Sequence, residues 1–327
     1  MSEARYDIIQ HHYEEEPSWI LKDNVSKAEV ELIPGVGSHV VRFELDGHPL
    51  VLTPPDLAAL REKSSRFGVP ILFPPNRIHG AQFTYKDRTY QYPPKAGTPH
   101  YMHGELSHKP WFVAESGADE ERGAYLVTRF RYQDHLDLFE HFPHNLVFEM
   151  TFRLFEGKLI CSGTIHNEGM DEAPLALGFH PYFPVAPKLS TKVVIPAITE
   201  WPISEDGFVA GLPEATDACE QLRSGWSFED VPSEGYMLLE MPREQSNCCE
   251  LQDHERGTKI VVESSEQFPF MVLFKPAWAD AISLEPYTYV TDGFNSSLDV
   301  ETTGVRGLDP GDVFTYEWSV WQAGLDI

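Results

Sequence analysis

Residues 147–155 read VFEMTFRLF and residues 158–165 read KLICSGTI, with only Glu156-Gly157 between them. Apolar residues at every second place give an extended chain one dry face and one wet face, a spacing no helix can use. Gly157 can take the positive φ that a tight hairpin turn demands. The pattern recurs. Residues 28–33 (AEVELI) and 40–45 (VVRFEL) read as strands, the second entering a turn at Asp46-Gly47, and residues 83–92 (FTYKDRTYQY) as a hairpin turning at 86–88. Further strands are expected over 259–263, 270–274, 281–284 and 314–320. Helical signals are short: residues 56–66 with Asp56 near the cap, and residues 218–222. Neither is long enough for βαβ crossovers. Many closely spaced strands predict an all-β chain, a large antiparallel sandwich or barrel with a few short helices. The stretch 187–235 reads as loops and short strands, and no linker or repeat divides the chain, so residues 1–327 are expected to form a single domain.

Fifty-one acidic residues face 25 basic ones, a formal charge of −26. Such a chain repels phosphate backbones and anionic lipid, and no basic stripe offsets this, so neither nucleic acid nor membrane is an expected partner. The four cysteines, Cys161, Cys219, Cys248 and Cys249, form no CxxC and read as free thiols of a reducing compartment. The first residues hold no apolar signal segment and no run of 18 apolar residues occurs, so a cytoplasmic protein is expected. GxSxG, GxGxxG and phosphate-loop patterns are absent.

Three places hold side chains suited to proton transfer. His103 lies in a loop-like cluster, residues 100–104 (HYMHG). His180 sits in GFHPYF, before a proline that forces an extended or turning backbone and among aromatics that can wall a pocket. Glu285, in SLEPYTY, ends an apolar run. A carboxylate at a buried strand end is desolvated, which raises its pKa towards neutrality and suits a general base. Taken singly, a histidine among aromatics is more often packed or exposed than reactive, and a lone glutamate is more often solvated.

Their order along the chain resembles the aldose 1-epimerase (galactose mutarotase-like) family. Residues 68–80 (GVPILFPPNRIHG), Met102-His103-Gly104, GFHPYF at 178–183, Leu284-Glu285-Pro286 and LDPG at 308–311 are similar to successive family elements. The resemblance implies a β-supersandwich that interconverts the anomers of a free aldose. Glu285 would take the proton of the anomeric hydroxyl and His180 would protonate the ring oxygen. His103 would hydrogen-bond the ring oxygen or a neighbouring hydroxyl. Arg77, Asn76 and Tyr182 would contact the sugar. Only protons move, so no metal or redox cofactor is implied. The partner would be a monosaccharide, and the protein a monomer or homodimer. The family's substrate-binding aspartate has no clear counterpart; Asp230 and Glu234 lie in the right region.

Other readings compete. A metal-dependent enzyme would use His100, His103, His180 and Glu285, without the HExxH helix. A hexose-6-phosphate mutarotase would need a basic pocket, for which Arg77, Lys95, Lys109 and Lys275 are candidates; the chain's acidity favours neutral sugars. A non-catalytic carbohydrate-binding or sensing protein could share the fold.

Overall fold

The computed structural model of the chain describes residues 4–185 and 188–325. Strands dominate, and every strand pairing is antiparallel among those described. The expected hairpin forms with strands Leu146–Phe155 and Lys158–Asn167 in unbroken register around Glu156 and Gly157, whose φ is +74°. It lies inside a nine-stranded sheet, bounded on one side by Gly123–Arg131 and on the other by Val313–Gly324. A five-stranded meander begins at Tyr6–Tyr13 and ends at His48–Pro49. A seven-stranded sheet brings together Thr199–Trp201, Met237–Glu240, Phe270–Phe274, Ala281–Tyr287, Gly178–Phe179, Tyr182–Pro184 and Ile71–Leu72.

The nine- and seven-stranded sheets face each other across the main core. Phe148, Phe152, Cys161 and Trp318 point inward from the first, and Phe179, Ile282 and Leu284 from the second. Phe179 closes the gap, its ring 5.3 Å from Trp318 and 5.6 Å from Tyr316. The core cluster takes residues from Tyr6 to Val320. Burial of alternate residues, as in Leu146–Phe155, is what makes the sheet one-sided. Cys161, Cys219 and Cys249 are buried, Cys248 is exposed, and all four are free thiols. Among the described residues no helix is long and apolar enough to cross a membrane.

The two expected helices are present as Leu57–Glu62 and Asp217–Ser224. The first runs on into the turn Ser64–Arg66. Asp56 caps it, its carboxylate accepting from Ala59 N at 2.7 Å while Leu57 and Leu60 anchor the buried side. Asp56→Ala is expected to cost about 1 kcal/mol of unfolding free energy, to be read from denaturant midpoints at constant slope. The region 187–235 holds short strands, one helix and loops as expected; Pro187, at its start, lies outside the described residues.

Candidate active site

The strand Ala281–Tyr287 sends Ile282 and Leu284 into the main core. Period two therefore turns Ser283, Glu285 and Tyr287 to the opposite face. The adjoining segment pairs with it at two points, Gly178 opposite Tyr287 and Tyr182 opposite Ser283. That register sets His180 directly across from Glu285 on one face, where cross-strand side chains touch. Pro181 and Pro286 follow them and supply no N–H, so the ladder opens between the two points of pairing. Glu285 thus lies within a strand that runs on to Tyr287, rather than at a strand end as the sequence suggested.

The contacts fix where protons sit. His180 Nε2 is 3.2 Å from Glu285 Oε1, both side chains being almost fully buried. The Ser283 hydroxyl donates to the Pro181 carbonyl at 2.8 Å. It therefore accepts from His180 Nδ1, also at 2.8 Å, which assigns the ring proton to Nδ1. The Tyr287 hydroxyl donates to Glu285 Oε2 at 2.6 Å. Burial pushes the Glu285 carboxyl up to about 8, against the hydrogen bond from Tyr287, the nearby Ser283 hydroxyl and the charge of Arg77. Burial, with His103 nearby, drives His180 well below its ordinary value. Both shifts favour the neutral groups; with Nδ1 donating to Ser283, Nε2 is left to accept a carboxyl proton from Oε1.

His103 faces this pair edge-on, its ring centre 5.3 Å from that of His180. Its backbone is left-handed (φ +65°), and the next residue is Gly104, where a Cβ would meet the Phe73 carbonyl oxygen at 2.0 Å. His103 N donates to the Asn76 carbonyl at 2.9 Å. Burial, with Arg77 and Lys95 nearby, lowers His103 to about 3, so it too is neutral. Its Nδ1 is buried and meets no protein partner among the described residues. Asn76, also left-handed (φ +57°), accepts from Arg77 N at 2.9 Å and Arg77 Nη1 at 3.3 Å through Oδ1. Its side-chain oxygen is thus committed to aligning Arg77.

These side chains line one cleft of about 420 Å³, in the size range of small-ligand sites. Tyr182 stacks on His180 at 4.7 Å and leads to Trp278, 5.5 Å further out and 41% exposed. All six residues singled out from the sequence, Asn76, Arg77, His103, His180, Tyr182 and Glu285, border this cleft. Neither Asp230 nor Glu234 does; Tyr236 stands there instead, its hydroxyl donating to the Gly207 carbonyl at 3.0 Å and meeting Thr291 at 2.8 Å. Its ring lies under the Arg77 guanidinium at 5.7 Å. Tyr236, Trp278, Lys63, Ser65, Arg66 and His108 were missed by sequence reasoning, and for none of them does spacing or flanking residues give a signal. His100 is not in the cleft: it packs on exposed His79 and on Phe208, and its Nδ1 accepts from Gly80 N. Among the described residues, no three His, Cys, Asp or Glu side chains are placed to hold a metal ion. Lys109 pairs with Asp137, and Lys275 is spent on the carbonyls of Phe228, Glu229 and Val231.

Residues 20–321 match the family model described as aldose 1-epimerase. An uncharacterized Escherichia coli K12 protein, YphB, is 24% identical over 300 residues, 87% of this chain and 92% of its own. A galactose mutarotase-like protein from Clostridium acetobutylicum superposes with a TM-score of 0.91 at 21% identity, over 98% of this chain and 99% of that one. A galactose 1-epimerase from Lactobacillus acidophilus superposes at 0.79 with 14% identity, over 98% and 99%. At these identities the structural likeness is one of fold.

Proposed function

The chain belongs to the aldose 1-epimerase family, and on that footing we propose that it interconverts the α and β anomers of an aldose, with Glu285 as base and His180 as acid. The observation that carries this reading is the 3.2 Å contact between Glu285 Oε1 and His180 Nε2, close enough to share a proton, in a cleft that both groups border. Ring opening needs one proton removed from the anomeric hydroxyl and one delivered to the ring oxygen. When sugar binds, the shared proton passes to Nε2 and on to the ring oxygen, while Glu285 takes the hydroxyl proton. The pair holds one proton before and one after, so no exchange with solvent is needed within a turnover. The free aldehyde rotates about C1–C2, and reversal of the transfers closes the other anomer. His103, neutral and with an unpartnered buried nitrogen, holds the ring oxygen or an adjacent hydroxyl. Arg77, steadied by Asn76 and Tyr236, orients other hydroxyls, and Tyr182 presents an aromatic face to the sugar. We propose that the whole chain acts as one domain, because one core cluster draws on residues from Tyr6 to Val320.

Polarimetry of freshly dissolved α-D-glucose, α-D-galactose and further aldoses tests the reading. Acceleration over the uncatalysed rate is expected, and its absence across a broad panel would sink the proposal. The pH profile gives a second test. Tyr287 donates to the carboxylate and so favours its ionised form. In Tyr287→Phe the Glu285 pKa is expected to rise further above about 8. The alkaline limb of the rate profile, on which the pair loses its shared proton, then moves to higher pH. An unmoved limb would show that another group governs it.

A further inference from the structure

We infer that the cleft takes an aldose bearing an anionic substituent, a phosphate ester or a carboxylate, away from its anomeric carbon, and that Arg66 and Lys95 at the mouth hold that anion. The inference rests on the anomer-exchange reading of the inner cleft and names its substrate class.

In a chain with 51 acidic and 25 basic residues, a cation readily finds a carboxylate. Away from the cleft many do: Arg61 meets Glu15, Arg129 meets Glu149, and Lys158 meets Glu263. The cleft departs from this. Among the described residues neither Arg66 nor Lys95 makes an ion pair, and Arg77 meets only the Asn76 side-chain oxygen and the Tyr236 ring. Lys63 adds a further charge and pairs at 3.2 Å with Glu62, which also borders the cleft, so four basic side chains there stand against one carboxyl besides Glu285. Uncompensated cations gathered at one opening of an acidic protein make a local positive potential inside a repulsive field. A neutral sugar draws no benefit from that arrangement, whereas an anion does.

Position supports the assignment. His180, Tyr182 and Trp278 form a wall running outward from the proton-transfer pair, and the Arg66 guanidinium lies over Trp278 at 5.4 Å. A sugar whose anomeric carbon meets Glu285 and His180 points its far end along that wall to Arg66. Lys95 borders the same cleft as His103 and His108, and His108 contacts Ser64, two residues before Arg66. The two cations therefore approach the mouth from different segments. The planar guanidinium suits a phosphate or carboxylate through two parallel bonds, and the ammonium adds a point charge.

The test compares anomer exchange of D-glucose with D-glucose 6-phosphate and D-glucuronate, and of galactose with its corresponding acids, by NMR exchange at low ionic strength. For an anionic member, kcat/KM about tenfold or more above its neutral parent is expected, shrinking with added salt. Arg66→Ala and Lys95→Ala are each expected to lower the anionic-to-neutral ratio by about tenfold. The phosphate and uronate arms tell the two anions apart. A preference for neutral sugars, or a ratio unmoved by both substitutions, overturns the inference. If no aldose is exchanged, the anomer reading itself fails, and calorimetric binding of the same compounds decides separately. Anion binding weakened in the two variants supports the inference; equal binding of neutral and anionic sugars, or none, overturns it.

Discussion

Glu285→Gln is expected to lower the rate of anomer interconversion by roughly 10² or more while leaving the fold intact. Glutamine keeps the shape, and its amide oxygen can still accept the Tyr287 hydroxyl that now reaches Oε2. What it cannot do is receive a proton from the anomeric hydroxyl. A second measurement on the same variant separates a proton-transfer role from a packing role. Glu285 binds its proton more tightly in the folded chain, at about 8, than its ordinary value of 4.5. A carboxyl raised in this way contributes stability that is complete below the unfolded value and is lost as pH rises through the folded one. Glutamine mimics the protonated form at every pH. The variant should therefore gain stability over the natural protein as pH climbs from about 5 to 9, by up to a few kcal/mol on a slope of about 1.4 kcal/mol per unit. Thermal unfolding across that range reads it. Near-full activity in Glu285→Gln would mean that the base lies elsewhere, and a parallel loss of activity and alkaline stability would make Glu285 structural.

His180→Gln is expected to cost between about 10² and 10⁴ in rate. The replacement can fill the space between Ser283 and Glu285 but cannot carry a proton from the carboxyl to the ring oxygen. On the proposed mechanism the two side chains share one proton and should fail as a unit. The double variant is expected to be little slower than the worse single one, since groups that act together are non-additive. Multiplied losses in the double variant would show that the two work independently and that the shared proton is not the working unit. Steady-state rates for the four proteins, with one sugar at one pH, complete the comparison.

Much of the fold is written in local pattern, because one-sided strands advertise themselves. The hairpin around Gly157 alternates strictly and is found where expected. The strand Ala281–Tyr287 is buried on both faces, so no alternation marks its course, and Pro286 argues against its continuing. The sequence therefore ended it early and put Glu285 at its edge. The six inner residues were legible through the family resemblance, because each sits in a short segment, NRI, MHG, GFHPYF or LEP, whose order along the chain matches successive family elements. The outer cleft was not. Arg66 stands in a short turn after a helix, Tyr236 among loops and Trp278 beyond a strand end, and only tertiary folding brings them together. The same holds for the basic mouth: overall charge argued for neutral sugars, but net charge averages over a surface and says nothing of one opening in it.

The opposed placement of His180 and Glu285 also bears on how the chain avoids misfolding. Neighbouring strands can mispair by one residue, and such a slip turns every side chain to the other face. Here a one-residue slip would turn Glu285 towards Phe179 and Trp318, or His180 towards Ile282 and Leu284, with no partner to receive it. Burying an unsatisfied polar group costs from about one to several kcal/mol, while the correct alignment satisfies both. The His180–Glu285 pair thus acts as a proofreading mark for the sheet that holds it. Variants that replace both groups with apolar residues should refold with more misaligned material than either single replacement, even where the native form is no less stable.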